Sequence, residues 1–231
     1  MARPVAARVR SRVLASRDRF WAVSDFDGAP TAVRMALQRL ASQGELTRVR
    51  RGVYWRGRET RFGFTTSPPV QAVREVIGSG EAVGAAEWYA TNLLGLSTQV
   101  SPRPVVAVSR RVPTGLSNVR VVNRASRTAR RDAHLNEIEV TLLEALEGWD
   151  KYIELDSAAA VSRLQALLRR HDVRVDRLVR ASRTESPRVR ERLRRLLAEA
   201  GLTAQAKRIA GARDVATREH ALAVFPRPTT P

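Results

Sequence analysis

Apolar residues recur at i, i+3, i+4, i+7 and i+8 through Val33, Ala36, Leu37, Leu40 and Ala41, the spacing of a helix that buries one stripe. Its opposite face carries Thr31, Arg34, Met35 and Gln38, with Arg39 at the edge. Gly44 stands where a helix C-cap is expected, and Leu46 to Arg50 can follow as a short strand. Gly52 permits a tight reversal, after which Val53-Tyr54-Trp55 has the β-branched and aromatic character of a returning strand. Upstream, Pro4 opens a helix whose narrow seam is Val5, Val9 and Val13, leaving Arg8, Arg10, Arg12 and Arg17 outside. Phe20 to Val23 suits a first strand, Ser24-Asp25-Phe26 a brief capped helix, and Asp27-Gly28 a turn. Residues 1 to about 60 therefore read helix, strand, short helix, turn, helix, strand, strand. That is the order of a winged helix-turn-helix, in which Ala29 to Trp55 supplies the recognition helix and the wing. Periodicity alone leaves open an ordinary amphipathic helix followed by a hairpin.

Arg56 to Ser67, with Gly57, Gly63 and Thr65 to Pro69, has the composition of a linker. The expected division is a first domain over 1–62, a second over 63–225 and a disordered tail over 226–231. In the second, Val70, Val73 and Ile77 suggest a helix, and Ala85 to Leu94 another capped by Gly95. Val105 to Val108 and Val119 to Val122 suggest two strands joined by a polar loop containing Pro113 and Gly115. This small α/β part runs to about 131, and from about 134 the pattern is helical. Its stripes are Leu135, Ile138, Leu142 and Leu146; Val161, Leu164, Leu167 and Leu168; Val175, Leu178 and Val179; and Val189, Leu193, Leu196 and Leu197. No internal repeat is evident. The expected fold is α+β and helix-rich.

Charge adds a partner to this picture. The 231 residues carry a formal net charge of +18, which favours a polyanion, nucleic acid first. Arginine supplies nearly all of it, with lysine only at Lys151 and Lys207, a bias that GC-rich codon usage also produces. An anionic membrane surface or a ribosomal partner fits charge alone. No run approaches the roughly 20 apolar residues of a membrane span, and the N-terminal residues lack the uninterrupted apolar core of a signal peptide. An Arg-rich N-terminus also suits an organellar transit peptide, but a first helix of the fold is the simpler account. The absence of cysteine excludes disulfides and is consistent with the cytoplasm, the expected location. Residues 1–60 hold 13 arginines against 5 acidic residues, a surplus suited to phosphate binding. Thr31, Arg34, Met35, Gln38 and Arg39 would then approach base edges, Arg34 or Arg39 reading guanine and Gln38 adenine. Arg48, Arg50 and Arg51 on the wing, with Arg8 and Arg12 on the first helix, would hold phosphates.

Between Asp132 and Asp156 lies an acidic island of Glu137, Glu139, Glu144, Glu147, Asp150 and Glu154. It reads either as an exposed helix face pairing with nearby arginines, or as a docking surface for a basic partner or a brake on non-specific DNA binding. Basic clusters over Arg110 to Arg131 and Arg188 to Arg195 either extend a DNA track or, in the second case around a Leu seam, are solvated or pack against a partner. The three histidines, His134, His171 and His220, lie far apart without a metal-ligand or nucleophile spacing. Gly78, Gly80 and Gly84 lack the Gly-Lys-Ser/Thr of a phosphate-binding loop. Glu137 and Glu139, two apart on a helix, point apart. No catalytic residue, metal or cofactor is expected.

The pairing of the two halves resembles AbiEi-type antitoxins of bacterial type IV toxin-antitoxin systems. The matching residues are Asp25-Phe26 and Ala32 to Tyr54 in the first half, then Ala85 to Ser109, above all Leu93 to Val100, and Leu135 to Leu146. The resemblance implies a winged-helix antitoxin that binds inverted repeats in its own promoter and represses its operon. It also implies a second domain that counteracts a nucleotidyltransferase-like toxin, directly or indirectly. Glu87-Trp88-Tyr89 replaces the family's small residues, so no neutralising residue is assigned. A palindromic operator would pair two copies on DNA about one helical turn apart. A stand-alone winged-helix repressor, or an RNA- or protein-interaction module without operator specificity, are the alternatives.

Overall fold

A computed structural model describes residues 4–78, 80–111 and 115–226. Pro113 in the polar loop and residues 227–231 of the expected tail lie outside the described residues. The chain is α+β and helix-rich. Contacts divide it into two compact units, one within 1–79 and 113–119, the other within 80–112 and 120–231.

The first unit begins with α1 (Val5–Leu14) and β1 (Arg19–Ala22), then a single 3-10 turn over Val23–Asp25. The brief helix expected at Ser24 is only this turn, in which the Asp25 carboxylate accepts from the Ala22 N–H at 2.7 Å. α2 (Pro30–Ser42), β2 (Thr47–Arg50) and β3 (Val53–Arg56) follow. The three strands form an antiparallel sheet in the order β1-β3-β2. Val9 and Val13 of α1 meet Val33, Ala36, Leu37 and Leu40 of α2 over Trp21, Leu46 and Tyr54. The alternate face of the sheet presents Val49 and Trp55, which pack with Ala72 and Leu116.

That second layer moves the domain boundary from the expected residue 62. The stretch with a linker's composition forms the hairpin β4 (Glu59–Thr60) and β5 (Gly63–Phe64), and α3 (Pro69–Ile77) lays Ala72 against the sheet. Residues 115–119 return to the same unit, where the Ser117 N–H donates to the Val49 carbonyl at 3.0 Å.

In the second unit, β6 (Val83–Ala86), α4 (Glu87–Leu93), β7 (Val105–Val108) and β8 (Arg120–Asn123) come first. β6 pairs antiparallel with β7, and β7 parallel with β8. Ala85 and Ala86, expected in a helix, are strand residues. Helix α6 (Glu137–Glu147) packs against the strand so closely that a Cβ at Gly84 would lie 2.7 Å from the Val140 side chain and 2.8 Å from the Glu137 carbonyl. The remaining helices are α5 (Thr128–Asp132), α7 (Trp149–Tyr152), α8 (Ser157–Leu168), α9 (Val175–Ala181), α10 (Pro187–Glu199), α11 (Thr203–Lys207) and α12 (Val215–Leu222). Leu142, Leu143, Leu146, Leu164, Leu178, Leu193, Leu196 and Leu197 form one core among them.

Candidate nucleic-acid interface

Helix α2 starts with Pro30 at its first position and has no side-chain N-cap, since Ala29 precedes it. It ends where Gly44 turns left-handed, at φ 78°. The Gly44 N–H donates to the Ala41 carbonyl at 3.1 Å and the Glu45 N–H to the Leu40 carbonyl at 3.0 Å, the paired bonds of a Schellman end. Burial of Val33, Ala36, Leu37 and Leu40 fixes the helix's rotation. Thr31, Arg34, Met35, Gln38 and Arg39 are therefore left together on the solvent side, with Met35 57% exposed. A thioether displayed this far is available for apolar contact, and the flanking groups supply donors and an amide.

The β2–β3 hairpin lies next in the chain. A bulge between Arg48 and Arg50 lets Val49 turn into the second layer while Arg48 stays exposed. Arg51 is exposed and Arg50 half-buried at the turn, which Gly52 closes at φ 84°. Among the described residues, the guanidinium groups of Arg34, Arg39, Arg48, Arg50 and Arg51 have no carboxylate or hydrogen-bond partner.

Arg8 and Arg12 sit differently from the free phosphate contacts expected of them. Arg8 Nη2 donates to the Asp27 carbonyl at 3.2 Å and Arg12 Nη1 to the Asp25 carbonyl at 2.8 Å. Arg12 also lies 5.5 Å from the ring centroids of Trp21 and Phe26. Both arginines brace the turn that leads into α2, and Arg10 Nη1 reaches Gln43 Oε1 past the helix's other end at 3.2 Å. Their sequence signature, charge on the polar side of α1, does not distinguish bracing from ligand contact.

In the second unit, arginines and acids meet one another. Arg130, 1% exposed, donates through Nε and Nη2 to both oxygens of Glu185, at 2.6 and 2.9 Å, and through Nη1 to Glu144 at 2.6 Å. Arg124 forks onto the same Glu144 at 2.9 and 2.8 Å. Glu139, fully buried, caps α6 and receives Arg174 Nη2 at 2.6 Å. Arg192 donates to the Leu146 and Ala221 carbonyls and to Asp150. Burial alone would raise the Glu144 carboxyl, but the charges of Arg130 and Arg124 outweigh it and hold the group below its ordinary range. Burial dominates at Arg192 and pushes its guanidinium down despite Asp150.

The acidic island is thus split: Glu139 and Glu144 are buried, Glu137 and Glu147 part-buried, and Asp150 and Glu154 exposed. Glu139 and Glu144 are buried ion-pair partners, Glu147 accepts from Ser186, and Glu154 caps the loop at Ser97 and Thr98. Both basic clusters are partly absorbed by the same pairing. His134, His171 and His220 are exposed, and among the described residues no group of three or more His, Asp or Glu is placed to hold a metal. Among the described residues no helix is long and apolar enough to cross a membrane.

No family model matches the sequence, and no curated protein matches it. Among solved structures, the crystal structure of RV2827C protein from Mycobacterium tuberculosis is similar at a TM-score of 0.48 and 18% identity, over 100% of this chain and 85% of that one. A likeness that slight carries no functional argument.

Proposed function

We propose that this protein is a winged-helix DNA-binding repressor that acts as the antitoxin of a type IV toxin-antitoxin system in the bacterial cytoplasm. Helix α2 enters the major groove, and the β2–β3 hairpin is the wing that follows the backbone. What carries the reading is one juxtaposition: Thr31, Arg34, Met35, Gln38 and Arg39 share the exposed face of α2, and their arginines, with those of the hairpin, lack carboxylate partners among the described residues. Unpaired guanidinium groups keep their full attraction for phosphate and guanine, whereas those already forked onto carboxylates do not. The antitoxin part of the reading rests on the resemblance over Ala85 to Ser109 and Leu135 to Leu146. The departure at Glu87-Trp88-Tyr89 favours the second reading, a stand-alone repressor.

Fluorescence anisotropy on the DNA upstream of its own gene, against scrambled duplex at physiological salt, tests the repressor. Arg34→Ala is expected to lose about 1 to 3 kcal/mol on the specific duplex only, and Arg51→Ala to weaken both duplexes and flatten the salt dependence. Equal affinity of the native protein for both duplexes sinks the repressor. Growth of cells expressing the product of the adjacent gene, with and without this chain, separates antitoxin from stand-alone repressor.

A further inference from the structure

We propose that the β4–β5 hairpin is a second DNA contact, in which Phe62 enters the minor groove beside the α2 site and presses on a base step, with Arg61 next to it. The inference rests on the reading of α2 as the DNA-facing helix.

Two residues per strand are far too few to stabilise a hairpin in water. This one is held from below. Asp18, in the left-handed region at φ 49°, accepts from the Arg58 N–H at 3.2 Å and from Arg58 Nη2 at 2.8 Å. It also accepts from Thr65 Oγ1 at 3.1 Å. Trp55 Nε1 donates to the Thr65 carbonyl at 2.8 Å, and the Arg56 guanidinium lies 4.3 Å over the Phe64 ring. Gly57 is required by this closeness, because a Cβ there would stand 2.2 Å from the Thr65 carbonyl. Above the brace the turn is closed by Thr60, whose hydroxyl donates to the Gly63 carbonyl at 2.7 Å and accepts from the Phe62 N–H at 3.2 Å.

On this fixed turn Phe62 is 86% exposed, with the Arg61 guanidinium 4.6 Å from its ring. A single exposed apolar residue is ordinary. A large ring on a braced tip beside a cation is the combination of an apolar wedge with an electrostatic guide, which suits the minor groove. By itself the tip is too small for a stable protein interface, which buries about 1,000 Å² or more, or for a membrane anchor. Its place in the fold is the end of β3 opposite the wing. The β2–β3 turn leaves β3 at Val53 and the β4–β5 hairpin follows from Arg56, so a hairpin issues from each end of the strand, whose four residues span about 13 Å. A major groove filled by a helix is bordered on both sides by phosphate ridges and then by the minor groove.

The test uses the full chain and a duplex it selects from a random-sequence library, with 2-aminopurine placed singly at steps outside the α2 footprint. Wild-type protein is expected to raise the fluorescence at a flanking step, the sign of unstacking. Phe62→Ala should abolish that rise and weaken binding by about 5- to 150-fold, while Phe62→Trp keeps both and all variants melt at the wild-type temperature. Phe62→Ala binding as tightly as wild type, or no flanking signal with the wild-type protein, overturns the hairpin contact. If Arg34→Ala still loses specificity in that case, the reading of α2 survives alone. A wild-type protein that selects no sequence overturns both.

Discussion

Glu144 is the residue on which two guanidinium groups of the second unit depend. Arg130 would keep Glu185 if it were neutralised, but it would do so in a core closed to water, and Arg124, part-buried beside it, would lose the carboxylate it forks onto. Breaking a buried pair from one side leaves an uncompensated charge, so Glu144→Gln is expected to cost about 3 to 5 kcal/mol, read by urea unfolding through tryptophan fluorescence. The same carboxyl sets a pH dependence. Its folded form titrates below the ordinary 4.5, so below that value the unfolded chain takes up the proton first, and stability falls with pH. Above about pH 5.5 this contribution is complete and flat. Glu144→Gln should therefore lower the neutral plateau and lose part of the acid-side slope; an unchanged slope would remove Glu144 from the account. The sequence showed the acids of this segment and arginines able to pair with them, but not their burial. Periodicity analysis assigns one face of α6 to the core and the other to water, whereas every residue from Glu139 to Leu146 is buried.

At the level of the element, α2 and the β2–β3 hairpin were legible because their signals are local. A stripe at helical spacing, Gly44 and Gly52 needed no knowledge of distant residues. The β4–β5 hairpin was not legible, since its brace is Asp18, some 40 residues from Arg58, and Gly57 and Gly63 by composition read as a linker. Strand β6 was hidden for a related reason: Gly84 is required by the approach of α6, and the small residues Gly84-Ala85-Ala86 carry no strand signature. One feature of α2 remains improvable. Ala29 has the extended N-cap conformation, φ −60° and ψ 122°, with no side chain to accept from the helix's first N–H groups. Ala29→Ser supplies that acceptor and is expected to stabilise the first unit by about 0.5 to 1 kcal/mol without altering affinity for DNA. Thermal unfolding decides it: an unchanged or lower Tm means that the serine does not cap.

For the whole molecule, the net charge of +18 is less informative than its distribution. If charge as such drew the protein to DNA, removing any two exposed arginines would weaken binding equally. Arg170 and Arg208 are more than half exposed but paired with Asp172 and Asp176, while Arg48 and Arg51 are exposed and lack partners among the described residues. Replacing either pair by alanine lowers the net charge by the same amount. Each phosphate contact releases counterions worth a slope of about −0.9 in log affinity against log salt. Removing Arg48 and Arg51 is expected to flatten the slope by roughly 1.8, and removing Arg170 and Arg208 to leave it unchanged, because their charges are already engaged by Asp172 and Asp176. Anisotropy titrations between 50 and 300 mM salt, on the order of six concentrations, measure both slopes. Equal flattening by the two double variants would mean that the protein meets DNA through diffuse charge, and the division of labour between α2 and its hairpin would then have no basis.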